Sequence, residues 1–180
     1  VNLYEVKSLT GDHSAMDFTG IKMGDINYTA KTTELNNGSQ SRSSDKLILE
    51  VENKINQKSG QIEIPVYGAW KSTLAGFQMT LEFNATKASF VSIKSAALTI
   101  GDDNLGMTRL ENGLINMSWN DRVSITPTEK PLFYVVLNLN KPANVEELIK
   151  INHSMLNVEA YTDQLDVMDI ELRVKGSQNP

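Results

Sequence analysis

Oxygen ligands appear early in the chain. Asp25, Asn27 and Thr29 stand at positions 1, 3 and 5 of a loop, a spacing from which a calcium ion draws side-chain oxygens. The rest of that loop pattern fails. Ala30 stands where a standard loop has Gly, and Asn36 where it has Glu. In an earlier stretch Asp12 and Ser14 supply oxygens at positions 1 and 3, but Met16 follows at 5. Asp12 and Asp17 are weaker ligand candidates in this segment. A Ca2+ ion held here needs further ligands from outside the chain or an unusual geometry. The competing reading is that Asp25 and Asn27 cap a turn after a short helix, as Asp and Asn do. "GDDNLG" offers Asp102, Asp103 and Asn104, and turn preference favours a solvated loop there. Asp163, Asp166 and Asp169 are spaced three apart, so in a strand they alternate faces and do not converge.

Catalytic chemistry finds little to work with. The chain has two histidines, His13 and His153, each in a polar stretch and neither in a metalloprotease or nucleophile-elbow pattern. It has no cysteine, which excludes disulfides, thiolate zinc sites and a Cys nucleophile. An acid pair for sugar hydrolysis would have to project from separate strands into one cleft. Aromatic residues are only 7% of the chain. Trp119 alternates with Ile115 and Met117 and reads as core. Trp70, in "YGAWKST" beside Tyr67, reads as a loop residue. There it can anchor a partner or stack on a sugar ring, or else close the end of a domain.

The elements that must position these residues follow from composition and period. The chain has 180 residues, 40% hydrophobic and 22% charged, enough for one core with an appendage. The net charge of -5 and the absence of a basic stripe argue against a nucleic-acid partner. No apolar run approaches the roughly 18 residues of a membrane span. The opening "VNLYEVKSL" has no leader pattern, and the chain reads as a piece of a longer protein. Residues 1–30 are too few for a core and end in a short helical pattern, "DFTGIKMGDIN". Residues 31–45 have polar linker composition. Residues 46–174 alternate.

In "GFQMTLEF", Phe77, Met79, Leu81 and Phe83 share one face, and Gln78, Thr80 and Glu82 the other. "QIEIPV" puts Ile62, Ile64 and Val66 inward, with Pro65 marking an edge strand or bulge. "LINMSWN", "LFYVVLNL" and "VMDIELRV" alternate likewise. "KLILEVE", "ASFVSIKS" (Val91 and Ile93 inward) and "VEAYT" do so more weakly. Asn112-Gly113 signals a two-residue hairpin turn. Only "NVEELIK" looks helical, for about two turns. Roughly eight or nine strands with frequent turns predict an all-β antiparallel sandwich of jelly-roll type with a short helical N-terminal segment.

The ordered set "SGQIEIPVYG", "LAGFQMTLEFNATKASFVSIK", "LENGLINMSWND" and "EKPLFYVVLNL" resembles a cohesin domain, the jelly-roll sandwich that receives dockerins in bacterial cell-surface assemblies. Lys130-Pro131 replaces the Gly usual before the last apolar run. "DFTGIKMGDIN" resembles the closing segment of dockerin-type modules in large surface proteins of type IX-secreting bacteria. The resemblance implies a dockerin-like tail at 1–30, a linker at 31–45, a cohesin-like domain at 46–174 and a further linker from 175 to 180. It implies a non-enzymatic extracellular adhesion or assembly module, with a dockerin-like segment or a neighbouring copy as protein partner and Ca2+ as a possible ion. Partner contacts are expected on the outward positions Gln78, Thr80, Glu82, Asn116 and Ser118. A carbohydrate-binding module, with polysaccharide on Trp70 and Tyr67, is the alternative. A ligand-free spacer in a long adhesin is the third reading.

Overall fold

A computed structural model describes residues 42–54 and 59–176. The expected dockerin-like tail, most of the polar linker and the Asp12, Asp25, Asn27 and Thr29 oxygens lie outside the described residues. Ten strands follow one another: β1 (Arg42–Glu52), β2 (Gly60–Ala69), β3 (Leu74–Phe83), β4 (Ala88–Ser95), β5 (Leu105–Gly106), β6 (Leu114–Ile125), β7 (Phe133–Leu139), β8 (Ile149–Asn152), β9 (Glu159–Tyr161) and β10 (Val167–Lys175). One helical turn, α1 (Val145–Leu148), precedes β8.

The strands run β4-β7-β2-β1-β10-β9-β3-β6-β5 in one curled sheet, with β8 also on β3. The curl brings β3 over β7. Phe77 stacks on Phe133 with ring centroids 6.5 Å apart, and Phe83 meets Phe90 at 6.2 Å. Four of the inward rows expected from alternation are buried throughout: Leu47, Leu49 and Val51; Ile62, Ile64 and Val66; Phe77, Met79, Leu81 and Phe83; Ile115, Met117 and Trp119. Period two puts every second side chain on one face, and burying that row is the main favourable term of the fold.

One ladder is parallel. β1 lies alongside β10, with Leu47 opposite Ile170, Leu49 opposite Leu172 and Val51 opposite Val174. All the others are antiparallel. β2 changes partner midway. Gly60–Val66 pairs with β7, and Tyr67–Ala69 with β1. Pro65 lies in the first half, where β7 is its one ladder partner among the described residues. An edge position of this kind tolerates the missing N–H.

Four local expectations are corrected. β1 begins at Arg42, inside the stretch read as linker. Asp45 belongs to that strand and ties it to the β2–β3 turn, accepting from the Lys71 and Ser72 backbone N–H groups at 2.9 and 3.0 Å. Burial pushes the Asp45 carboxyl up, but its hydrogen bonds from Lys71, Ser72 and Lys46 outweigh that and hold it below its ordinary value. "NVEELIK" is helical only over Val145–Leu148, and Ile149 onward is strand, because Ile149 and Ile151 are drawn into the ladder with β3. Val91 does not point inward. The ladder slips between Phe90 and Ser92, and the bulged Val91 is 46% exposed.

The fourth is the Asn112-Gly113 turn. It is not a two-residue hairpin but the end of a short 3-10 turn, Leu110–Asn112. Gly113 alone takes positive φ, at 76°. A Cβ there would sit 2.3 Å from the Phe83 carbonyl oxygen, so the position requires glycine. In return, the Phe83 N–H donates to the Gly113 carbonyl at 2.8 Å.

Candidate partner-binding face

β3 is the axis of the candidate face. Its inward row is core, so Gly76, Gln78, Thr80 and Glu82 point out. β6 places Asn120, Ser118, Asn116 and Leu114 opposite these four. On the other side, β9 sets Tyr161 opposite Gly76 and Glu159 opposite Gln78. Further along, β8 sets Asn152 opposite Thr80 and Lys150 opposite Glu82. Gly106 of β5 closes the row beyond Asn116.

Side-chain hydrogen bonds run across the strands and bind this row into a lattice. Thr80 Oγ1 donates to Asn116 Oδ1 at 2.8 Å, and Thr80 is fully buried although it faces outward. Gln78 Nε2 donates to Glu159 Oε1 at 2.8 Å, and the Tyr161 hydroxyl donates to the same oxygen at 2.5 Å. Asn152 Nδ2 donates to Glu82 Oε2 at 2.7 Å, while Lys150 pairs with the other carboxylate oxygen at 2.9 Å. The Asn152 hydrogen bond, aided by Lys150, holds the Glu82 carboxyl below its ordinary value. Burial, with the hydrogen bond to Glu159, pushes the Tyr161 hydroxyl well up.

Small residues keep the face flat. A Cβ on Gly76 would lie 2.9 Å from the Trp119 carbonyl oxygen, and one on Gly106 would lie 3.2 Å from Asn116 Cβ. Ser118 stands between them in the β6 row. Asn104 braces the rim, donating from Nδ2 to the Ser118 carbonyl at 2.9 Å and accepting from the Gly101 N–H. That is the role of "GDDNLG": Asp102 and Asp103 are exposed in its turn.

The five outward residues expected from sequence, Gln78, Thr80, Glu82, Asn116 and Ser118, are therefore brought together. Lys150, Asn152, Glu159 and Tyr161 complete the face; "VEAYT" reads as a weak strand, but elements of four and three residues do not show which neighbour they join. Trp70 and Tyr67 do not join it. Of the two readings left open for Trp70, the structure fits the one in which it closes the end of the domain: it is 7% exposed just beyond β2. Its ring fills the space that Gly68 leaves open, where a Cβ would come within 2.7 Å of Trp70 and 2.6 Å of Leu132. Tyr67 is half-buried on β2, opposite Glu50 of β1, and stands without Trp70 as a coplanar partner at the surface. Trp119 is core as expected, donating from Nε1 to the Thr99 carbonyl at 3.1 Å. Among the described residues no group of three or more His, Asp or Glu side chains is placed to hold a metal ion. Among the same residues no helix is long and apolar enough to cross a membrane.

No family model matches the sequence, and no curated protein matches it. The fold does have solved counterparts. The sixth cohesin of scaffoldin B from Acetivibrio cellulolyticus, solved in complex with a Cel5 dockerin mutant, superposes with a TM-score of 0.56 at 14% identity, covering 72% of this chain and 97% of that one. A type I cohesin, Coh-OlpC, from a Clostridium thermocellum cohesin–dockerin complex gives 0.55 at 11%, covering 72% and 92%. CaCohA2 from Clostridium acetobutylicum gives 0.52 at 15%, covering 73% and 92%. At such identities the likeness is one of fold: the described chain is an all-β sandwich of cohesin type.

Proposed function

We propose that this chain is a non-enzymatic protein–protein attachment module that receives a dockerin-like segment on the β3-centred face. The observation that carries the reading is the lattice itself. Thr80, Asn116, Gln78, Glu159, Glu82 and Asn152 are fixed by mutual hydrogen bonds on a flat surface lined by Gly76, Ser118 and Gly106. A face held rigid before contact loses little side-chain freedom when a partner lands on it. The cohesin fold supports the reading, since the solved counterparts include complexes with dockerins.

The module acts at a bacterial cell surface, in adhesion or assembly within a larger protein of a type IX-secreting bacterium. Ca2+ enters through the dockerin-type partner and through the Asp12, Asp25, Asn27 and Thr29 oxygens of the N-terminal segment. Polysaccharide loses its platform once Trp70 is core.

Calorimetric titration of the full chain with a complete dockerin-type segment from the same parent protein tests this. Saturable binding in calcium, lost in chelator and lost in Ser118→Trp, is expected. A bulky ring at Ser118 breaks the flat face without entering the core. Absence of binding in both buffers, or full binding by Ser118→Trp, rejects the reading.

A further inference from the structure

We infer that the sandwich is a load-bearing joint: tension along the chain is carried in shear by the parallel β1–β10 ladder, with the Lys46–Glu171 and Glu50–Lys175 ion pairs as its tie-bars. β1 and β10 are the first and last strands among the described residues. They lie side by side in the middle of the sheet order, and they run parallel. The chain therefore enters the ladder at Arg42, at one end, and leaves it at Lys175, at the other. A pull along the chain slides β10 forward past β1 instead of peeling it away.

The ladder is built to resist that direction. Residues 46–52 face residues 169–175 without interruption, and the Asn53 N–H adds a bond to the Lys175 carbonyl at 2.9 Å. The bonds of a parallel ladder are evenly spaced and cross the line of pull. Sliding loads them together, whereas peeling from one end loads them in turn. Leu47, Leu49 and Val51 are buried on the core side, so water reaches the bonds only from outside. Ahead of the uninterrupted stretch, Asp45 bolts β1 to the β2–β3 turn, accepting from the Lys71 and Ser72 N–H groups and the Ser72 hydroxyl.

The outward row carries the ion pairs, and both lean the same way. Lys46 stands opposite Asp169 but pairs with Glu171. Glu50 stands opposite Arg173 but pairs with Lys175 at 2.6 Å. Each β1 residue thus reaches two residues toward the C-terminal end of β10. Tension moves β10 in that same direction, so both pairs lengthen from the first increment of slip. Pairs leaning the other way would shorten first and resist nothing. At rest such exposed pairs contribute little to stability; their orientation matters under load.

β3, β5, β6 and β8 lie outside the path from β1 to β10. The candidate face therefore keeps its register while the chain is under tension, and the load-bearing role does not depend on which partner lands there.

Single-molecule force spectroscopy on the full chain tests this in two geometries. Handles at Val1 and Pro180 shear the ladder. Handles at Val1 and at Gln164→Cys, in the exposed β9–β10 turn, open it from the Arg42–Val167 end; the chain has no cysteine of its own. At one pulling rate the shear geometry is expected to need a peak force at least about twofold higher, since forced unfolding follows the barrier along the pulled direction. Equal forces overturn the inference. Glu50→Gln combined with Glu171→Gln is expected to lower the shear peak by about a tenth or more and leave the peeling peak unchanged. Glu63→Gln, which removes an ion pair off the load path, is expected to move neither. High salt is expected to lower the shear peak of the parent chain but not that of the double variant. A shear peak unchanged in the double variant, or lowered as much by Glu63→Gln, overturns the inference. So does an equal drop in both geometries, which would mark a general loss of stability.

Discussion

The two outer faces of the sandwich are built on different plans. On the β3-centred face the polar side chains bond to one another between neighbouring strands: Thr80 to Asn116, Gln78 to Glu159, Asn152 to Glu82. On the β7-centred face long side chains arch over the sheet. Lys94 of β4 reaches Glu63 of β2 at 3.0 Å and lies 5.3 Å from the centre of the Tyr134 ring. Val136 of β7, opposite Glu63 and next to Tyr134, is 3% exposed on this face. The ion pair spans from β2 to β4 across β7. One face is a rigid lattice that a partner can cover; the other carries its own cover and meets water. The difference lies in whether polar groups bond between neighbouring strands or reach across an intervening one.

The sharpest way to break the contrast is Thr80→Val. It removes the donor to Asn116 Oδ1 at a fully buried site. Its acceptor Asn116 is only partly buried, so the loss is that of one hydrogen bond, about 0.5–1.5 kcal/mol. Thermal unfolding is expected to show Tm down by about 1–6 °C at this chain size. An unchanged Tm would mean that the lattice on β3 is ornamental.

Acid titration comes next. The Glu82 carboxyl is held below its ordinary value of 4.5 by Asn152 and Lys150, so the folded chain binds fewer protons than the unfolded one. Its contribution is full above that value and is lost as pH falls through the lowered folded value. Asp45, also held low, adds to the same limb. Chemical denaturation of Glu82→Gln is expected to show a shallower loss of stability below about pH 4.5 than the parent chain. An identical acid limb would remove Glu82 from the lattice.

The smallest effect belongs to the other face. Lys94→Met breaks the exposed pair with Glu63, and surface pairs contribute about 0–1 kcal/mol. The methionine keeps the length that lies by the Tyr134 ring, so the denaturation midpoint is expected to move little, and less in high salt. A loss as large as that of Thr80→Val would erase the distinction between the faces.

Much of this was readable in the amino-acid order. Phe77, Met79, Leu81 and Phe83 announce a strand by period two, and with it that Gln78, Thr80 and Glu82 share the opposite face. Asn116 and Ser118 follow by the same logic from Ile115, Met117 and Trp119. Short elements carry that period weakly, as in "VEAYT", or not at all. β8 is four residues after a helical turn, and β9 is three, so Asn152, Glu159 and Tyr161 gave no local sign of reaching β3. Nor does local sequence tell a bulged Val91 from an inward one, since the slip depends on how β4 meets β7.

Sequence by itself determined the all-β class, the inward rows and the outward half of the face on β3 and β6, because alternation acts within a single strand. Tertiary structure alone decided the rest. It set β1 parallel to β10, sank Trp70 over Gly68 and made Gly113 indispensable beneath the Phe83 carbonyl. Each of these depends on which strand lies beside which, and that is settled only when rows distant in the chain compete to bury the same core.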